Sequence, residues 1–121
     1  MIALDPIAAA RDAIAAQPSR PATSMLLDRA DARLVVFRIA PGQAVPPHRS
    51  DATVLLSVLA GSGIISGGDE ERPCSVGDVI AFEPGELHGM RALDETLQLL
   101  AVITPRPGSR NAAPTTAAEA R

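Results

Sequence analysis

Two imidazoles, His48 and His88, are the side chains of this chain best suited to acid–base or ligand chemistry near neutral pH. Each follows a turn rich in proline and glycine. The first block reads Pro41-Gly42-Gln43-Ala44-Val45-Pro46-Pro47-His48-Arg49-Ser50, and the second Gly77-Asp78-Val79-Ile80-Ala81-Phe82-Glu83-Pro84-Gly85-Glu86-Leu87-His88. An imidazole serves as a metal ligand, as a general acid or base, or as a plain hydrogen-bonding group. The remaining inventory narrows the options. All 11 basic residues are arginine, which removes lysine Schiff-base chemistry and a lysine general base. Tyrosine and tryptophan are absent and phenylalanine occurs twice, which excludes a tyrosine acid and argues against an aromatic sugar platform. The single cysteine, Cys74, forms no intrachain disulfide and reads as a small buried apolar residue.

The elements that must position these groups are short. Asp5 and Pro6 suit the cap and first position of a helix. The alanine-rich stretch that follows continues it to a stop at Pro18, with Ile7, Ala10 and Ile14 on one face. Such a helix is marginal alone in water and should dock on its own domain or on a partner subunit. Residues 19–24 read as a linker. The period then changes to two. Strands are expected over 25–27, 32–39, 53–59, 64–66, 72–76, 79–82, 88–92 and 97–103, with glycine or proline between them. The run 53–59 is apolar on both faces apart from Ser57, which predicts burial on both sides. Gly67-Gly68-Asp69 reads as a hairpin turn, not a phosphate loop, since no helix follows it. About eight short strands at this spacing predict an all-β sandwich or barrel. Three segments result: a helix and linker over 1–24, a barrel over 25–104, and a disordered tail over 105–121 that is rich in Ala, Pro, Thr and Ser.

Charge and length bound the partners. The chain has 121 residues, enough for one domain, and a net charge of -3. With no basic stripe, nucleic acid and anionic lipid are not expected partners. No apolar stretch approaches the roughly 20 residues of a membrane span, and the N-terminus lacks the leading positive charge of a secretory signal. A cytoplasmic protein is expected.

The two histidine blocks resemble the paired motifs of the cupin superfamily, whose fold is a jelly-roll β-barrel. The resemblance covers roughly 33–103. The first family motif is glycine, five residues, His-x-His, three or four residues, Glu, six residues, glycine. Gly42, His48 and Gly61 fall in place, but Ser50 stands at the second histidine and Val54 at the glutamate. In the second motif Gly77, Gly85 and His88 match, whereas Glu83 occupies the proline slot, with Pro84 one place on, and Ala92 the asparagine slot. The resemblance therefore implies the fold, together with a metal set of which half is missing. A divalent ion wants about four ligands, or about six if hard, and two neutral nitrogens beside Val54 leave its charge uncompensated. Asp51 has the wrong parity for a regular strand, and Glu83 and Glu86 reach in only if their loop bends.

Three readings of the histidines follow. They hold a metal (Zn, Ni, Fe or Mn), weakly and completed by water or substrate; they line a metal-free pocket; or they are hydrogen-bonded residues without a function. The pocket is expected to be lined by His48, Ser50, Val54, Leu56, His88 and Met90, and to take a small organic ligand. Arg38 and Arg49 could meet an anionic ligand there, although solvated or ion-paired roles are the expected ones. Two functional classes are carried forward: a small-molecule-binding cupin, and a metal-dependent oxygenase or isomerase. A sugar epimerase is disfavoured by the absent tyrosine, and a DNA-binding regulator by the absence of a helix-turn-helix. By resemblance to other small cupins, a homodimer is expected.

Overall fold

The computed structural model describes residues 1–106. The expected tail lies outside these residues from position 107 onward. Within the expected tail Arg106 is anchored: its backbone N–H donates to the Ala30 carbonyl at 3.2 Å, and its Nε lies 2.9 Å from Asp28 Oδ1.

Among the described residues there are nine strands and one helix. Helix α1 spans Pro6–Asp12, and the strands are β1 Ala22–Arg29, β2 Ala32–Ile39, β3 Ala44–His48, β4 Thr53–Ala60, β5 Ser62–Gly67, β6 Glu70–Ser75, β7 Val79–Phe82, β8 His88–Ala92 and β9 Leu97–Thr104. They form two antiparallel sheets, of order β1-β2-β9-β4-β7 and β3-β8-β5-β6. The all-β arrangement expected from the strand spacing is present, as two facing sheets of the kind that the family resemblance implies. Between the sheets lies a core of aliphatic side chains. Ile39, Leu56, Ile65, Leu97 and Leu99 are fully buried, each contributing about 1.5–3 kcal/mol.

The structure corrects three local expectations. The helix stops at Asp12 and not at Pro18. Asp5 caps it as expected, accepting from the Ala8 N–H at 3.0 Å. At the other end Arg38 Nη1 donates to the carbonyls of Ala10 and Arg11 at 2.9 and 2.8 Å, which satisfies orphan acceptors of the last turn. The helix docks on the outer face of its own five-stranded sheet through Ala10, while Ile7 and Ile14 remain exposed. Second, β1 begins at Ala22, inside the expected linker. Third, β3 spans Ala44–His48, outside the eight expected strand ranges and across Pro46 and Pro47. It is an edge strand with a register shift between Val45 and His48, the setting in which a sheet accepts proline. Strand β4 also alternates more than its composition implied: Val54, Leu56 and Val58 are buried, and Leu55, Ser57 and Leu59 only half so. No helix among the described residues is long and apolar enough to cross a membrane.

Candidate functional site

The four-stranded sheet brings the histidines together. His48 ends β3, His88 begins β8, and the two are directly paired across the strands. Their ring centroids lie 4.4 Å apart, with the planes inclined at 56°. Close approach of these strands needs glycine at position 89. A Cβ there would lie 2.9 Å from the Val45 carbonyl oxygen and 3.0 Å from the Pro47 nitrogen. The turn before His88 is set by Gly85, whose φ of +84° is the left-handed conformation that glycine adopts without strain. The two histidine loops are then tied to each other. The Gly85 N–H donates to the Ser50 carbonyl at 2.7 Å, and Arg49 Nη1 donates to the Gly85 carbonyl at 2.8 Å.

Both rings have the same tautomer. His48 Nδ1 lies 3.1 Å from the Pro46 carbonyl and His88 Nδ1 lies 3.0 Å from the Glu86 carbonyl. A carbonyl only accepts, so Nδ1 carries the proton and each neutral ring keeps a lone pair on Nε2. His88 is buried and stacks on Phe82 at 4.8 Å. Burial pushes its pKa below the ordinary imidazole value. The Glu86 carbonyl opposes that shift, and the neighbouring His48 adds to it. His88 is therefore a neutral acceptor at neutral pH.

The six residues expected to line a pocket, His48, Ser50, Val54, Leu56, His88 and Met90, all border one cavity of about 190 Å³. Ser50 reaches it from a loop, although period two on a continuous strand would place it on the face of His48. Strand β3 ends at His48, so Ser50 sits in the following loop, buried, with its Oγ accepting from the Ala52 N–H at 3.1 Å. The cavity has further walls that sequence reasoning did not assign: Phe37, Ala101 and Ile103, and the guanidinium side chains of Arg33 and Arg49. The signal for Arg33 was available, because period two on β2 places it on the face of Phe37. Arg38, weighed as an anion-binding residue, is on the opposite face and holds the helix.

The donor set does not suit a resident metal. Ser50 and Val54 stand where an imidazole and a carboxylate would complete it. Among the described residues no group of three His, Cys, Asp or Glu side chains could hold an ion. Glu83 and Glu86 do not border the cavity. Glu86 instead turns back to accept from the Glu83 N–H at 3.0 Å. Asp51 is buried beside the site, with no hydrogen-bond partner for either oxygen among the described residues, but does not line the cavity. Cys74 is buried, as expected, and burial raises its thiol pKa.

Comparison with known proteins agrees with this architecture. A search of curated proteins finds no match. Solved structures do match. An uncharacterized conserved protein with a double-stranded β-helix domain from Klebsiella pneumoniae is 22% identical, with a TM-score of 0.72 over 79% of this chain and 86% of that one. An RmlC-like cupin protein from Desulfovibrio desulfuricans is 26% identical, with a TM-score of 0.69 over 78% and 92%. A predicted oxalate decarboxylase from Thermotoga maritima is 25% identical, with a TM-score of 0.67 over 70% and 80%. The family model described as cupin domain matches residues 35–103, more than half of the 121 positions. The glycine and histidine spacing, the paired sheets and this match agree, and the chain belongs to the cupin family.

Proposed function

We propose that this protein binds a compact organic molecule in the cavity beside His48 and His88, with the imidazoles acting as hydrogen-bonding groups and not as ligands of a resident metal. One observation carries the reading. A single cavity of about 190 Å³ joins an apolar wall to two adjacent ring nitrogens with open lone pairs. A few convergent polar groups on an apolar wall are the ordinary composition of a small-molecule site. The volume is below the roughly 300–1,000 Å³ of drug-sized sites, which favours a compact ligand.

A second reading has its own support. Tying Nδ1 to a carbonyl and leaving Nε2 open is also how a ligating histidine is oriented. In that reading the protein is a metal-dependent oxygenase or isomerase, with His48 and His88 as ligands and the other positions open to water and substrate. Elemental analysis of tag-free protein separates the two. The first reading expects transition metal well below one ion per chain, and a double variant, Ser50→His with Val54→Glu, to raise that content. Tightly held metal at one ion per chain in the natural sequence would replace the first reading by the second.

The remaining parts of the reading are a cytoplasmic setting and a homodimer. Exposed apolar side chains at Met1, Ile2, Leu4 and Ile7 favour the dimer. Light scattering at micromolar concentration checks it, and a sharply monomeric elution would count against it.

A further inference from the structure

We infer that the ligand of this cavity is an anion: a compact apolar body bearing one carboxylate, which Arg33 receives at the mouth with Arg49 beside it. The inference rests on the proposed ligand-binding reading and names the chemistry of its ligand. Consider one rung of the five-stranded sheet. Arg33 pairs with Ile103, Ile103 with Val54, and Val54 with Phe82. These four alternate inward together, so Arg33 stands on the rung of Val54, two strands away, or roughly 10 Å at the usual strand spacing. The family resemblance places a carboxylate at Val54. Here that position is apolar and the same rung carries a guanidinium.

The state of Arg33 fits the role. Its Nε donates to Asp28 Oδ1 at 3.2 Å, which fixes the plane of the group. Among the described residues neither of its terminal nitrogens has a partner, so one edge of the planar fork faces away from Asp28. A guanidinium edge of this kind matches a carboxylate in two parallel hydrogen bonds. Arg33 is only about a quarter exposed, which limits solvent screening of its charge. Asp28 does not border the cavity and gives the same oxygen to Arg106. Among the described residues no carboxylate borders the cavity, while two arginines do. The acid that would most oppose an anion is the buried Asp51, two residues from Arg49. The opposite end of the ligand would meet the Nε2 acceptors, which call for a donor or a plain apolar edge.

The test uses benzoate and 3-methylbutanoate against their primary amides, with binding read by titration calorimetry and by the His88 ring resonances. Each acid is expected to bind about ten- to a hundredfold more tightly than its amide, the worth of a charged hydrogen bond. Arg33→Gln should erase that ratio while leaving amide binding in place, and Arg33→Lys should restore part of it. Asp51→Asn should leave acid binding unchanged or tighten it. Equal affinity for acid and amide, or weaker acid binding in Asp51→Asn, would overturn the anion assignment alone. If neither acid nor amide moves the His88 resonances, the ligand-binding reading fails and this inference with it. Thermal melts of each variant confirm that the fold is retained.

Discussion

Phe82 and His88, stacked ring on ring, stand between two clefts of opposite character. On the His88 side the cavity is bordered, among the described residues, by two arginines and no acid. On the Phe82 side a cleft of about 350 Å³ opens beside β6 and β7, bordered by Glu70, Glu71, Glu86 and a single arginine, Arg72. The second cleft is the larger, yet two of its carboxylates have local work. Glu71 pairs with Arg91 at 3.0 Å, and Glu86 closes the turn before His88. The first cleft presents polar groups with capacity left over: two Nε2 lone pairs and the terminal nitrogens of Arg33. Cleft size and free hydrogen-bonding capacity therefore point to different clefts in this molecule. The proposed function follows the capacity and not the size.

The largest way to break the contrast is to remove the wall. Phe82→Ala should cost about 3–5 kcal/mol in chemical denaturation and join the two clefts. The ring is buried and its Cε1 would meet a Cβ at position 67 at 3.0 Å, so Gly67 is part of the same wall. A loss below 1 kcal/mol would mean that the ring does not separate them.

Protonation sharpens the contrast from the other side. The pKa of folded His88 is depressed below the ordinary value of 6.5, so the unfolded chain binds the extra proton first as pH falls. The stability His88 contributes is then fully present above about pH 6.5 and is lost as the pH drops from there toward the folded pKa. Urea titrations from pH 7.5 to 5 should show this decline, and His88→Gln should flatten it. An unchanged slope in that variant would assign the effect to other groups.

The smallest effect belongs to the acidic cleft. Arg91 and Glu71 are about half exposed, so Glu71→Gln should cost about 0.2–1 kcal/mol and leave ligand binding at the other cleft intact. A larger loss, or altered binding, would show that the clefts communicate.

Much of this molecule was legible in its sequence. Strands β2, β7 and β8 appear at their expected bounds because branched and apolar residues alternate there between glycines and prolines. The pocket-lining set came from the same period-two logic joined to the glycine and histidine spacing. What escaped was conformational or long-range. The helix end depended on Arg38, 26 positions beyond Asp12, and β3 was hidden by prolines that only an edge tolerates. Period two already placed Arg33 on the face of Phe37, but the rung it shares with Val54 escaped, because registers between distant strands are set by packing.

The sequence by itself determined the strand periodicity, the placement of the histidines after turns, and the presence of Ser50 and Val54 where the family motif has a histidine and a glutamate, since these depend on residue type and local spacing. Only the tertiary structure decided that both imidazoles share a tautomer, that one is buried against Phe82, and that arginines border their cavity while glutamates border the cleft next to it. Those features depend on which backbone carbonyls and which strand faces meet, and the packing of two sheets settles that across dozens of residues.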